Sequence, residues 1–226
     1  MKKYLEILIN IPLFAGIQEN ELESLLGCLN AQVRHYPKGE IIMLSGAPMN
    51  SVGIVLEGSA QILKDDFNGN RNILARVKHG ELFAEVFACI GIEHAPVTVL
   101  ADTRAVVLFI DFRRIVSSCT SACAFHSRLI ENMLRLMARK NMMLHEKVSC
   151  LGHRTTREKL EAFLLLHMEH AGTNPFEIPF SRNEMADYLC VDRSALSTVL
   201  GKMRDEEVIQ YHKNSFELLD GFGVHK

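Results

Sequence analysis

The sequence predicts an α+β protein: a β-roll (jelly roll) first, a long dimerisation helix second, a winged helix-turn-helix last. Three observations carry this. Short apolar, β-branched runs follow one another between Val33 and Asp111, separated by turn residues, the pattern of an all-β sandwich or roll. Apolar residues then recur at alternating steps of 4 and 3 from Ile130 to Leu151, the period of a two-stranded coiled-coil seam. Last, "SRNEMADYLCVDRSALSTVLGKMRDEEVIQYHKNSFELL" holds two capped amphipathic helices, a tight turn and two β runs.

Bulk properties agree with a globular chain. With 226 residues, 48% hydrophobic and 23% charged, it can bury a proper core in one large or two smaller domains. Three segments are expected: 1–111, 112–151 and 152–226. A net charge of -2 gives no global attraction to nucleic acid or anionic membrane. Met1-Lys2-Lys3 is basic, but Glu6, Asn10 and Pro12 interrupt the run behind it, unlike a secretory signal. No stretch approaches the ~20 apolar residues of a membrane span. A cytoplasmic protein without a membrane partner is expected. Six cysteines in that setting favour free thiols or metal ligands over disulfides.

Taken in order, residues 1–30 read as helical, with Leu22, Leu25, Leu26 and Leu29 on one stripe. The β runs include "EIIML", "SVGIVLEG", "SAQILKD", "RNILARV", "PVTVLA" and "AVVLFI", and Asn68-Gly69 is a hairpin signal. From Asp111 the chain is helical again. Ile130, Leu134, Met137, Asn141, Leu144, Val148 and Leu151 form the seam of a parallel homodimer, where one buried Asn fixes register and strand number. A second stripe, Leu129, Met133, Leu136 and Met143, is expected to pack back on the roll. Gly152 follows as a hinge. Thr155-x-x-Glu158 is a capping box opening a helix to about Ala171, stopped by Gly172.

The C-terminal motif has its own punctuation. Ser181-x-x-Glu184 caps a helix from Arg182 to Leu189, Cys190-Val191-Asp192 is a turn, and Asp192 caps a helix from Arg193. Leu196, Val199, Leu200 and Met203 face inward, and the β runs around Lys213-Asn214 form the wing. The second helix of such a motif enters the major groove. Its outward Arg193, Ser194, Ser197 and Thr198 suit base edges. Ser181, Arg182, Lys202 and Lys213 are the expected holders of the DNA backbone. Charge counting opposes this: residues 150–226 hold 9 Lys and Arg against 12 Asp and Glu, so the fold must gather the cations on one face.

Catalytic signatures are missing. There is no Walker A, G-x-G-x-x-G or G-x-S-x-G, and His145-Glu146 lacks a second His at H-E-x-x-H spacing, so no enzyme is expected. Cys119, Cys123 and His126 stand at i, i+4 and i+7, one face of a continuous helix. Thiolates and an imidazole so placed could share a metal, with Cys89 as fourth ligand. Against this, C-x3-C-x2-H is not a standard zinc spacing, and cysteine is commonly buried for packing alone.

The anchors "YPKGEII", "GIVLEGSAQIL", "GELFAE", "TTREKLEAFLL" and "SRNEMADYLCVDRSALSTVL", in this order, give a chain that resembles the cyclic AMP receptor protein / fumarate-nitrate reductase regulator (Crp/Fnr) superfamily of bacterial transcription regulators. The resemblance implies a cyclic-nucleotide-binding-like roll and a homodimer on double-stranded DNA with a two-fold symmetric operator. It also implies an effector or prosthetic group in the roll, and RNA polymerase as partner of an activator. The effector loop would comprise Gly80, Glu81, Leu82, Glu85, His94 and Val97. In nucleotide-binding members a glycine-glutamate pair and an arginine followed by a hydroxyl residue grip phosphate and ribose. Here Ala84 precedes Glu85, Ala95-Pro96 stand where the arginine and hydroxyl would be, and no Lys or Arg lies between Glu81 and Arg104. Hydrogen bonds to charged groups contribute ~1.5–3 kcal/mol each, so the loss argues against cyclic AMP. Redox and gas sensors in the superfamily raise iron-sulfur or haem as alternatives, although the N-terminal cysteine cluster of the iron-sulfur oxygen sensors is missing. Two other readings stand beside the regulator with a lost phosphate grip. One is a cyclic-nucleotide-responsive regulator with a non-standard pocket. The other is a metal- or cofactor-binding sensor whose helix-turn-helix serves protein contacts.

Overall fold

The computed structural model describes residues 2–65, 71–117 and 124–223. By backbone packing the chain divides into two units, Met1–Ala138 and Arg139–Lys226. The first begins with helices α1 (Leu5–Ile9) and α2 (Glu19–Cys28). Strands β1 (Gln32–Tyr36), β2 (Ile41–Met43), β3 (Ser51–Glu57), β4 (Ala60–Asp65), β5 (Arg71–Val77) and β6 (Leu82–Phe83) follow. Then come α3 (Glu85–Cys89), β7 (Thr98–Ala101), β8 (Ala105–Asp111) and α4 (Phe112–Val116). The strands make two four-stranded antiparallel sheets, in the orders β1-β8-β3-β6 and β2-β7-β4-β5. The expected hairpin turn at Asn68-Gly69 lies outside the described residues, between β4 and β5.

The central pair β3 and β8 explains the unbroken apolar runs. Successive strand side chains point to opposite faces. Val52, Ile54 and Leu56 of β3 and Val106, Leu108 and Ile110 of β8 pack with Leu8, Phe14, Leu22 and Leu25 of the N-terminal helical segment. The alternate residues, Val55, Ala105 and Val107, join Phe83, Val99 and Ala101 in a second core between the sheets. Both faces are covered, so residues 52–56 of β3 and 105–110 of β8 carry no polar side chain. Edge strand β5 differs: Ile73 and Leu74 are exposed.

Helix α5 (Ala124–Leu151) crosses the division between the units. Its first half is tied to the N-terminal helices. Leu129 and Met133 are buried there, with Leu136 and Met137 partly buried beside them. Asn132, also buried, donates both amide hydrogens, to the carbonyls of Leu13 (3.0 Å) and Ala15 (2.9 Å), and Arg128 donates to Gly16 O. The stripe expected to pack back on the roll is therefore corrected at its far end: Met143 is exposed, because α5 outruns the core it packs on. Of the expected seam, Leu134, Leu144 and Val148 are 65%, 63% and 66% exposed in the single chain.

The second unit continues with α6 (Thr156–Ala171), β9 (Phe176–Glu177), α7 (Arg182–Leu189), α8 (Arg193–Asp205), β10 (Ile209–His212) and β11 (Ser215–Leu218). The capping box at Thr155 and Glu158 forms, and Gly172 ends α6 at φ +66°. Its core joins Cys150, Leu160, Phe163, Met185, Leu189, Leu196, Leu200, Met203, Ile209 and Phe216. The wing strands form one antiparallel sheet, β10-β11-β9.

One close approach in the roll gives a stability test. A Cβ at Gly53 of β3 would sit 2.1 Å from the ring of buried Phe83. Gly53→Ala is expected to destabilise the chain by about 1–3 kcal/mol through overpacking, measured as a fall in the urea midpoint with unchanged slope.

Candidate nucleic-acid interface and sensor loop

The recognition geometry is built from local rules. Ser181 accepts the Glu184 N–H and the Glu184 carboxylate accepts the Ser181 N–H, closing the box that starts α7. The turn places Cys190 in the left-handed region at φ +52°. Asp192 then accepts the N–H groups of Ser194 (2.7 Å) and Ala195 (3.2 Å), capping α8. At 100° per residue Leu196, Leu200 and Met203 share one side, and all three are buried. Ser194, Ser197, Thr198 and Lys202 fall away from that side, Arg193 in the first turn lies next to it, and all five are exposed. Ser197 and Thr198 donate to the carbonyls four residues back, at 2.9 Å each, so their outward lone pairs accept.

The four expected backbone holders do not share one environment. Lys202 is exposed on α8 and Lys213 is exposed at the wing turn. Ser181 is exposed, with an acceptor site used by its cap. Arg182, the fourth expected holder, is partly buried. Its Nη2 donates to Lys213 O at 2.7 Å, its Nη1 is buried without an acceptor, and its guanidinium carbon lies over Tyr211 (5.1 Å) and Phe216 (4.9 Å). Burial pushes its pKa below the ordinary arginine value, partly opposed by Tyr211; guanidinium stays charged regardless. Sequence reasoning found the residue but not this role, whose partners lie some thirty positions away.

Behind the interface, Arg157 donates to Glu161 (2.9 Å) and Glu206 (2.6 Å), joining α6 to the end of α8. Those carboxylates raise the Arg157 pKa. His170 Nε2 lies 3.1 Å from a Glu146 carboxylate oxygen, linking α6 to the end of α5. Neither link was legible in the sequence, because neither sets a local pattern.

In the sensor loop the backbone donors of Gly80, Glu81 and Ala95 are already in use. Gly80 N–H goes to Val55 O (2.8 Å) and Glu81 N–H to Lys78 O (3.0 Å). The Glu81 carboxylate accepts Lys78 N–H (2.8 Å). Ala95 donates to Ala47 O (2.9 Å) and accepts from Gly46 N (2.8 Å). Pro96 has no N–H. Ser45 N–H donates to Thr98 Oγ1 (3.1 Å), and Met49 N–H to Glu93 O (2.8 Å). The segment from Ser45 to Met49 is thus laced to the loop. Leu82, Glu85 and Val97 are buried and His94 is exposed. Ala84 holds φ +65°, a glycine conformation kept without the glycine.

The proposed metal set is only partly on view. Cys119 and Cys123 lie outside the described residues. Cys89 is exposed on α3, its thiol pKa raised by partial burial and by Glu85. His126 is buried, with Nε2 2.8 Å from Arg114 O and Nδ1 enclosed without a partner. A carbonyl can only accept, so Nε2 carries a proton. Among the described residues no three His, Cys, Asp or Glu are grouped to hold a metal, and no helix is long and apolar enough to cross a membrane.

Comparison with known proteins follows the same division. Residues 33–119 match the family of the cyclic nucleotide-binding domain. Residues 158–221 match the Crp-like helix-turn-helix domain. Transcriptional activator protein FnrA of Stutzerimonas stutzeri is 23% identical over 196 residues, 84% of this chain and 78% of that protein. Transcriptional regulatory protein btr of Bordetella pertussis is 24% identical over 212 residues, 91% of this chain and 84% of that protein. The crystal structure of DNR from Pseudomonas aeruginosa shares the fold, with a TM-score of 0.52 at 18% identity over 97% of this chain and 95% of that one.

The caps make the second unit acid-sensitive. The Ser194 hydroxyl and the N–H groups of Ala195 and Ser194 hold the Asp192 carboxyl below its ordinary pKa. A depressed carboxyl stabilises the fold above its unfolded pKa and loses that contribution as pH falls through the folded value. Asparagine caps without ionising. The stability gap between wild type and Asp192→Asn is therefore expected to narrow as pH falls from neutrality through the carboxylate range, measured by thermal unfolding at each pH.

Proposed function

Because the chain belongs to the Crp/Fnr family of transcription regulators, we propose that it is a homodimeric, sequence-specific DNA-binding regulator whose sensor loop no longer grips a cyclic phosphate. One observation carries the DNA side: α8 buries Leu196, Leu200 and Met203 and leaves Arg193, Ser194, Ser197, Thr198 and Lys202 outward. Arg193, at the first turn, reads guanine edges, and Ser194, Ser197 and Thr198 read neighbouring base edges. Ser181, Lys202 and Lys213 hold the phosphate backbone. The exposed seam of Leu134, Asn141, Leu144 and Val148, with Ile130 and Met137 above it, joins two copies. The pair then meets a two-fold symmetric operator. Segments 1–111, 112–151 and 152–226 serve as sensor, dimerisation helix and DNA-binding domain in a cytoplasmic protein that is not an enzyme.

The sensor side rests on a donor count. In the loop of Gly80, Glu81, Leu82, Glu85, His94 and Val97, the N–H groups of Gly80, Glu81 and Ala95 are paired within the chain, and Pro96 supplies none. A phosphate there would meet neither a cation nor a free amide at those positions. The effector is then something other than a cyclic nucleotide. A metal- or redox-responsive version is favoured by the enclosed, unpartnered Nδ1 of His126, with Cys89, Cys119 and Cys123 as the remaining candidates. Iron or zinc near one per chain in protein purified without oxygen, lost in Cys119→Ser/Cys123→Ser, would support it. Metal-free protein with unchanged regulation would remove it.

For DNA binding, Arg193→Ala is expected to cost about 1–3 kcal/mol and relax preference at one base position. Lys202→Ala is expected to weaken all duplexes alike and reduce the salt slope by about 1. Duplex titrations over a range of salt measure both. Unchanged base preference in Arg193→Ala would overturn the assignment of α8 as the reading helix.

A further inference from the structure

We propose that Arg182 is a positioning residue for the wing, acting on DNA through Lys213 rather than by touching a phosphate itself; this rests on the DNA-binding reading above. The wing turn has two residues, Lys213 and Asn214, between the paired His212 and Ser215. Lys213 sits in the left-handed region at φ +52°, a conformation that a side-chain-bearing residue keeps only when its surroundings hold it. Both turn carbonyls are held from outside the hairpin. Ile178 N–H donates to Asn214 O at 2.9 Å, and Arg182 Nη2 donates to Lys213 O at 2.7 Å. The cation that the sequence sets beside the duplex thus fixes the backbone of a second cation, exposed Lys213.

The seat of the guanidinium explains why arginine is required there. Tyr211 and Phe216 stack on each other with centroids 5.7 Å apart, and the Arg182 guanidinium lies over both rings. That is a cation–π seat. Nη1 is sealed in it with no acceptor, so a phosphate oxygen cannot reach that nitrogen. A buried donor without a partner costs stability, and the ring contacts hold it in place. Arg182 is also the first residue of α7, next to the Ser181 cap. One side chain therefore links the start of the helix-turn-helix to the tip of the wing. Lysine keeps the charge but has neither the planar fork nor the stacking surface, which separates the two roles experimentally.

The test uses the full chain with a mixed-sequence duplex and, in parallel, the slope of log affinity against log salt. Wild type, Arg182→Lys, Arg182→Ala, Lys213→Ala and the double variant Arg182→Lys/Lys213→Ala are compared. Positioning predicts that Arg182→Lys loses as much affinity as Arg182→Ala. It also predicts that the slope falls by about 1, as in Lys213→Ala, and that the double variant is no weaker than Lys213→Ala. A direct phosphate contact predicts the opposite: Arg182→Lys keeps the wild-type slope, and the losses at 182 and 213 add. Either of those results overturns the proposal. Tyr211→Leu provides a second route if the Arg182 variants unfold, since it removes the seat and keeps the charge. It should lower the slope like Lys213→Ala, and an unchanged slope in a folded Tyr211→Leu protein also overturns the proposal. Wild type that binds no duplex at low salt would instead overturn the DNA-binding reading on which this one stands.

Discussion

One helix, α5, lends residues to a hydrophobic core in each unit. Leu129 and Met133 of α5 are buried with the N-terminal helices and with β3 and β8, and Cys150, near its other end, is buried with Phe163, Leu196 and Phe216. Neither end can be released without opening apolar surface, at roughly 25 cal/mol per Å². Asn132 adds a directional constraint, since its amide donates to two carbonyls that precede the first strand. Between the two anchored ends, Leu134, Asn141, Leu144 and Val148 keep their side chains outside both cores. Burial at the ends thus leaves a free middle, and the proposed dimer uses that middle.

In the sensor loop, the cyclic nucleotide-binding domain fold carries the residues on which the proposed loss of the phosphate grip rests. Ala84 keeps the left-handed backbone at a position where nucleotide-binding relatives carry glycine, at the modest cost that a Cβ imposes there. The amides of Gly80, Glu81 and Ala95 are satisfied by Val55, Lys78 and Ala47. A satisfied backbone has little to gain from a ligand. Whatever the roll senses would have to offer more than charge.

How much of this was legible in the sequence divides by range. The caps at Thr155, Ser181 and Asp192 were, because each is a contact within three residues. So was the outward arc of α8, fixed by helical period alone. The double-sided apolar runs of β3 and β8 indicated buried strands. What failed was long-range. Periodicity placed Met143 on a buried stripe but could not say where the underlying core ends. Nothing in the local pattern marks Asn132, whose acceptors on Leu13 and Ala15 are distant in sequence. The seat of Arg182 was not legible, because its rings and its acceptor come from the far end of the domain. Cys119 and Cys123 lie outside the described residues, so the helical face proposed for them and His126 stays a matter of spacing.

In the proposed dimer, the exposed stretch of α5 would tie the protein's integrity to its own abundance. A surface that is covered only by a second copy obeys mass action, so dilution withdraws the cover and concentration restores it. For the dimer proposed above, the number of copies in the cell would set the fraction of chains with that stretch sheltered. Scarcity would leave Leu134, Leu144 and Val148 open to proteases and to chance association. Expression level would then act on this regulator twice, through how many molecules exist and through how long each one lasts.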